Sequence, residues 1–344
     1  MDSNARTRRH TVRSPFASTG LTCTPAVAES VRRLAAPYLT VEPGAPAPGT
    51  WEVIAGATPP AGCVPESVTA QGESTVEYLV AHHDKALFHV APEGDSWVTQ
   101  SLLRATRAIH RSAASRQGVL FLHAGLVELN GRGVALLGGS RAGKTSFVMA
   151  SVLNGCGTMV CNDDVSLTAD SDGGGVTGTG WPRSISVRLD TLDLLFGRGR
   201  ADTIRSSLTH PANQTLLSLR ESGVEPHGTA LLYPWEYADL MDTRIGSATK
   251  VEAIVHLSLA DSPSEAGLVP VTASQRATLL EERVLGLPNK HLNIFGHEPD
   301  PDRSQRTRGA LENLPTFAFR YAFRDVRKEV DNLVAHLAGH FPSD

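Results

Sequence analysis

One octet constrains this chain more than any other feature. Gly138, Gly139, Ser140, Arg141, Ala142, Gly143, Lys144 and Thr145 fit the pattern G-x-x-x-x-G-K-[ST]. Glycines at these positions let successive backbone N–H groups converge on anionic oxygens, at φ values that other residues resist. The apolar residues 133–137 come directly before the octet and predict a strand, and residues 144–153 directly after it predict a helix. A helix that opens on such a loop offers unpaired donors and the positive end of its dipole to a phosphate. The run Gly138, Gly139, Ser140, Arg141, Ala142, Gly143, Lys144, Thr145 and Ser146 is therefore expected to bind a nucleoside polyphosphate. Lys144 would reach the β- and γ-phosphates and the Thr145 hydroxyl would hold Mg²⁺. The chain has only five lysines, Lys85, Lys144, Lys250, Lys290 and Lys328, among 32 basic residues. Arginine supplies most of its positive charge, so a lysine inside a glycine-rich loop is not incidental.

The remaining sequence fits an α/β class around this loop. Residues 119–122 and 125–129 read as strands around His123, and Asn130-Gly131 is a hairpin turn signal. Strands follow at 157–161, 165–169 and 184–189, with Asp190 expected to cap a helix reaching Phe196. Residues 251–259 and 314–323 read as strands, and 273–286 and 325–337 as helices. Segment 198–248 is polar and hard to read beyond a helix near 215–221, and segment 288–312 is expected to be mobile. Ahead of the core, 78–81 and 86–90 read as a hairpin and 97–115 as a helix. The expected organisation is a disordered start at 1–20, a small mixed α+β module at 21–115 and a P-loop domain at 116–344.

Bulk properties exclude several function classes. Net charge is −4, with 32 basic and 36 acidic side chains, so no nucleic-acid or anionic-membrane surface is expected. No run reaches the ~18 apolar residues of a membrane span. Arg8 and Arg9 are not followed by an apolar region, so no secretory segment is expected. Cys23, Cys63, Cys156 and Cys161 show no metal-ligand spacing and read as free thiols of a cytoplasmic protein.

Two further features lie near the loop in sequence. Asp163 and Asp164 follow a predicted strand, where a P-loop fold brings a carboxylate to metal and phosphate. One carboxylate can hold Mg²⁺ while the other takes the acceptor's proton. Asn162-Asp163-Asp164 is equally good turn chemistry. His123 sits in an apolar stretch, which suits a core position as well as a proton-transfer partner.

Together these elements resemble the HPr kinase/phosphorylase family. There a strand carries a histidine (here His123-Ala124-Gly125), a hairpin strand leads into a G-x-S-G-x-G-K-S/T loop (here Gly138 to Thr145), and an Asp-Asp pair follows (here Asp163-Asp164). The resemblance covers about residues 118–260, with a weaker echo at 314–337. It implies a P-loop kinase core of HPr kinase type, using ATP and Mg²⁺. Lys144 would contact phosphates, and Thr145 and Asp163 would serve the metal. Asp164 would be the proton acceptor, and His123 would orient the carboxylate. It also implies a homo-oligomer.

The chain departs from the family in places. Arg141 stands where the family loop has glycine. Ser186-Val187-Arg188-Leu189 replaces a Glu-Val-Arg-Gly signature, so the metal-binding glutamate is a serine, with Asp190 as a candidate substitute. Arg220, Arg244 and Lys250 are weak matches to a later family arginine that meets the transferring phosphate. These departures point to a divergent kinase acting on a hydroxyl of a peptide, a protein or a small molecule. The N-terminal module is the natural place for substrate selection. The same loop would equally serve an ATPase or nucleotide-binding regulator, or a degenerate scaffold. The intact Lys144, Thr145, Asp163 and Asp164 argue against the last.

Overall fold

A computed structural model describes residues 7–68, 76–90, 97–171, 174–213, 228–260, 265–285, 295 and 300–340. The fold is mixed α/β and divides into two compact units, Met1–Gln117 with Leu287–Asp300, and Gly118–Gly286 with Pro301–Asp344.

The first unit is built on a seven-stranded sheet in the order β3-β1-β2-β4-β7-β6-β5. Its strands are β1 (Arg8–Arg13), β2 (Ser18–Cys23), β3 (Thr40–Pro43), β4 (Glu52–Ala55), β5 (Val64–Val68), β6 (Val76–Ala81) and β7 (Ala86–Val90). Helix α1 (Pro25–Ala35) begins where the Thr24 hydroxyl accepts from the Val27 amide and Pro25 takes the first turn. Helix α2 (Val98–Arg116) buries Leu102, Ala105, Ala108 and Ile109. The predicted hairpin is β6 and β7, turned through Lys85 at φ +49°. Within 1–20, expected to be disordered, Arg8–Arg13 form β1 and β2 begins at Ser18. His10, Thr11 and Val12 pair with β2 and β3 and form a consecutive buried run, flanked by the exposed Arg8, Arg9 and Arg13.

The second unit holds a nine-stranded sheet. Its strands are β8 (Leu120–Leu122), β9 (Gly125–Leu129), β10 (Arg132–Leu137), β11 (Gly157–Cys161), β12 (Val165–Ala169), β13 (Val176–Thr179), β16 (Ala248–Leu259), β17 (Gly267–Pro270) and β18 (Thr316–Tyr321), while β14 (Ile185–Arg188) and β15 (Thr229–Leu232) pair separately. Its helices are α3 (Lys144–Leu153), α4 (Leu189–Phe196), α5 (Arg198–Ser207), α6 (Pro234–Met241), α7 (Ala273–Glu281), α8 (Pro301–Glu312) and α9 (Val326–Ala338). Asn130 and Gly131 both take positive φ, +47° and +81°, and turn β9 into β10.

Strand β10 explains the near-continuous apolar run before the loop. Val134 and Leu136 join one core with Phe147 and Val330, whereas Ala135 and Leu137 join a second core with Val165 and Leu311. The sheet is thus covered on both faces, and β10 runs parallel to β16 in its interior. Three local expectations change. Residues 198–207, unread from sequence, form α5, and 301–312, expected to be mobile, form α8 with Thr307 and Leu311 buried. Asp190 does not cap α4: Arg188 occupies that position, and Asp190 lies in the first turn. The helix expected near 215–221 lies outside the described residues. Among the described residues no helix is long and apolar enough to cross a membrane, and all four cysteines are free.

Candidate functional site

The loop after β10 has the backbone that its glycines demand. Gly143 takes φ +82°, and a Cβ there would meet the Tyr321 hydroxyl at 1.8 Å. A Cβ on Gly138 would meet the Leu257 carbonyl oxygen of the neighbouring parallel strand at 2.7 Å. Tyr321 also donates to the Ala142 carbonyl at 3.1 Å, so a buried β18 side chain fastens the loop from below. Helix α3 opens at Lys144 with no side-chain cap on its first amides. Such amides are the donors that a phosphate takes up. Arg141, where the resemblance leads one to expect glycine, keeps a glycine-like φ of +65°. An arginine there carries a backbone cost of roughly 1 kcal/mol.

Lys144 is folded back on its own loop. Its Nζ donates to the carbonyls of Gly138 at 3.0 Å and Gly139 at 3.3 Å, and stands 3.5 Å from His123 Nε2. Burial lowers its pKa, Asp163 opposes the shift, and Arg283 adds to it. On the far side of the imidazole, His123 Nδ1 is 3.3 Å from Asp163 Oδ1. Burial also lowers the His123 pKa, against Asp163, with Lys144, Arg183 and Arg283 adding to the fall. An ammonium beside Nε2 and a carboxylate beside Nδ1 select the neutral tautomer protonated on Nδ1.

These groups share a cleft of about 400 Å³. Residues Gly139, Ser140, Arg141, Ala142, Gly143, Lys144, Thr145 and Ser146 form one wall. His123, Asn162 and Asp163 form a second, and Ser186, Arg188, Thr191 and Thr229 a third. The Ser146 hydroxyl lies 2.8 Å from that of Thr191 and ties the first wall to the third. Among the described residues Ala142 is the only apolar side chain in the lining, so the cleft suits a charged, hydrophilic occupant.

The two aspartates separate in a way opposite to expectation. Asp163 lines the cleft and its side chain is 35% exposed. Asp164, expected to take the acceptor's proton, is 2% exposed and does not line the cleft. Its Oδ2 accepts from Arg183 Nη1 at 3.0 Å. The physical reason is packing: the bend after β11 sends consecutive side chains in different directions, and the inward one meets a guanidinium. Arg183 also approaches Asp163, with Nη2 to Oδ2 at 3.7 Å. The Arg183 side chain is 40% exposed; desolvation by its neighbours opposes the charge, but Asp164 and Asp163 outweigh it and its pKa rises.

Other expected positions fall away from the chemistry. Asp190 does not line the cleft. Arg188 holds its carboxylate with bonds of 2.8–3.1 Å, and chiefly for that reason its pKa is lowered. Arg244 and Lys250 do not line the cleft either; Lys250 pairs with Thr177 at the end of β16 remote from the loop. Arg220 lies outside the described residues. Sequence reading missed Arg183 and Tyr321, which no motif marks, since each reaches the site from a distant segment.

Two groups implied by the loop can be tested against these residues. The positive-φ glycine cradle and the uncapped start of α3 fit a polyphosphate. Thr145 and Asp163 both line the cleft, while no group of three or more His, Cys, Asp or Glu among the described residues is arranged to hold a metal. That sparse oxygen set fits Mg²⁺, which keeps waters and phosphate oxygens as most of its ligands.

No protein-family model matches the chain, and no curated protein matches it. Among solved structures it is similar to the Hpr(Ser) kinase/phosphatase from Coxiella burnetii, at 11% sequence identity and a TM-score of 0.31. The match covers 64% of this chain and 97% of that one. The relation is a distant structural one.

Proposed function

We propose that the chain is a Mg²⁺-assisted kinase that transfers the γ-phosphate of ATP to a hydroxyl acceptor. What carries the reading is one juxtaposition: Lys144 at the mouth of the glycine loop and the Asp163 carboxylate line the same polar cleft, with His123 between them. Loop amides from Gly139 to Ser146 would hold the phosphate oxygens. Lys144 would exchange the Gly138 and Gly139 carbonyls for them, since both are within its reach.

Asp163, in place of Asp164, is the proton acceptor in this proposal. It would take the acceptor's hydroxyl proton as that oxygen attacks phosphorus and the bond to the leaving diphosphate breaks. His123, whose Nδ1 stands 3.3 Å from Asp163 Oδ1, would donate to the carboxylate and fix its direction. A carboxylate that also gripped a metal would be a poorer base, so Thr145, with phosphate oxygens and water, is assigned to hold Mg²⁺. Bound there, the metal would neutralise charge on the β- and γ-phosphates.

The deciding experiment is ADP release from Mg·ATP with and without hydroxyl acceptors, followed by mass spectrometry of the acceptor. Acceptor-dependent release with an added phosphate supports the kinase. Release at the same rate without any acceptor would leave an ATPase.

A further inference from the structure

We infer that Arg183 is the positioning residue of this cleft: one arm of its guanidinium pins Asp164 inside the fold, and the other holds the Asp163 carboxylate at the cleft against His123. The two aspartates are adjacent in a bend between β11 and β12. A half-exposed carboxylate at a bend keeps its rotamer freedom unless something fixes it. His123 approaches Oδ1, at 3.3 Å from Nδ1. Arg183 supplies the second constraint: Nη2 faces Asp163 Oδ2 at 3.7 Å while Nη1 donates to Asp164 Oδ2 at 3.0 Å. A planar guanidinium can donate to one carboxylate through one arm while its other arm forms an ion pair with a second, here at 3.7 Å, a geometry a compact ammonium does not match.

The arginine is itself anchored. The Gly180 amide donates to the Ser247 carbonyl at 3.0 Å. The buried Trp181 indole donates to the Ser166 hydroxyl at 2.5 Å. Ser166 lies two positions beyond Asp164 and sits in β12, paired with β8 and β13. The Trp181–Ser166 bond therefore ties the segment that carries Arg183 to the strand that follows the aspartates. Arg183 does not line the cleft, so it acts on an occupant through Asp163 and not by contact.

The kinetic part of the test rests on the phosphotransfer reading; the spectroscopic part does not. Two variants of the full chain are compared with the wild type. Arg183→Lys keeps the charge and loses the fork. The paired change Arg183→Met with Asp164→Leu leaves no unpaired buried charge, so it should melt like the wild type. At one fixed neutral pH, nitrogen-15 spectra of the imidazoles, with His123 assigned by its loss in His123→Gln, should show Nδ1–H in the wild type and a mixture of tautomers in both variants. Both variants keeping the wild-type tautomer would overturn the inference. In Mg·ATP turnover, kcat should fall about 10²-fold in both variants, as expected for a misplaced reacting group. KM for ATP should change by less than about threefold, the signature of a loss confined to the transition state. Wild-type kcat in the paired variant would reduce Arg183 to a counterion and sink the idea. A wild type that turns over no ATP counts against the phosphotransfer reading, and the spectra then decide the role of Arg183.

Discussion

Two histidines, one in each unit, show how surroundings decide what a side chain is for. In the first unit His110, on α2, is wholly buried, with Nε2 2.5 Å from the Thr19 hydroxyl and Nδ1 2.7 Å from that of Ser14. Both partners are neutral and can donate or accept, so burial alone pushes its pKa down to about 3. In the second unit His123 is part-exposed and stands between Lys144 and Asp163. Opposed charges on its two nitrogens fix one tautomer and leave the ring at a cleft wall. A neutral, enclosed histidine is structural. One that stands between charged groups at a cleft is placed to orient the carboxylate beside it, as the proposed function requires.

The comparison breaks most visibly at the carboxylate. Asp163→Asn should lower kcat for acceptor phosphorylation by about 10²–10⁴-fold, as loss of a positioned base does. Thr19→Val, which removes a partner of His110, should leave kcat unchanged and lower the melting temperature. Equal turnover in Asp163→Asn and the wild type would end the case for Asp163 as base.

Acidification tests the first unit next. The folded pKa of His110, about 3, lies below its ordinary value of 6.5. Between those values the unfolded chain binds the proton and the folded chain does not. Stability is therefore full above 6.5 and falls as pH drops through that window. Urea midpoints measured across it should fall less steeply in His110→Gln than in the wild type. Parallel slopes would mean that His110 is not held neutral.

A smaller difference separates the histidines themselves. His123→Gln should reduce kcat about tenfold, less than loss of the base, because its proposed role is orientation. Its melting temperature should stay near wild type, and His110→Gln should show the reverse pattern. The smallest effect concerns the loop backbone. Arg141→Gly should relieve the +65° φ and stabilise the fold by roughly 1 kcal/mol or less, offset by the added freedom of glycine in the unfolded chain. Thermal denaturation would read this, and clear destabilisation would mean that the Arg141 side chain contributes more than its backbone costs.

Much of this architecture was legible without coordinates where the signal is local. Asn130-Gly131 turns a hairpin because both residues tolerate positive φ. The apolar run before the loop reads as an interior strand because β10 is covered on both faces. Segments 198–207 and 301–312 were not legible, since each is a polar helix whose few buried residues matter only once a partner surface exists. The start of β1 was misread for the same reason: arginines dominate its composition, while His10, Thr11 and Val12 do its packing.

At the site the division falls along the same line. Sequence by itself determined the glycine loop, the lysine within it and the nearby hydroxyl, because glycine spacing at a strand-to-helix junction is a property of consecutive backbone units. Tertiary structure alone decided which of two neighbouring aspartates meets the cleft, that His123 bridges Lys144 to Asp163, and that Arg183 faces both carboxylates. Side-chain direction at a bend depends on what packs behind it, and the groups that pack there come from segments far away along the chain.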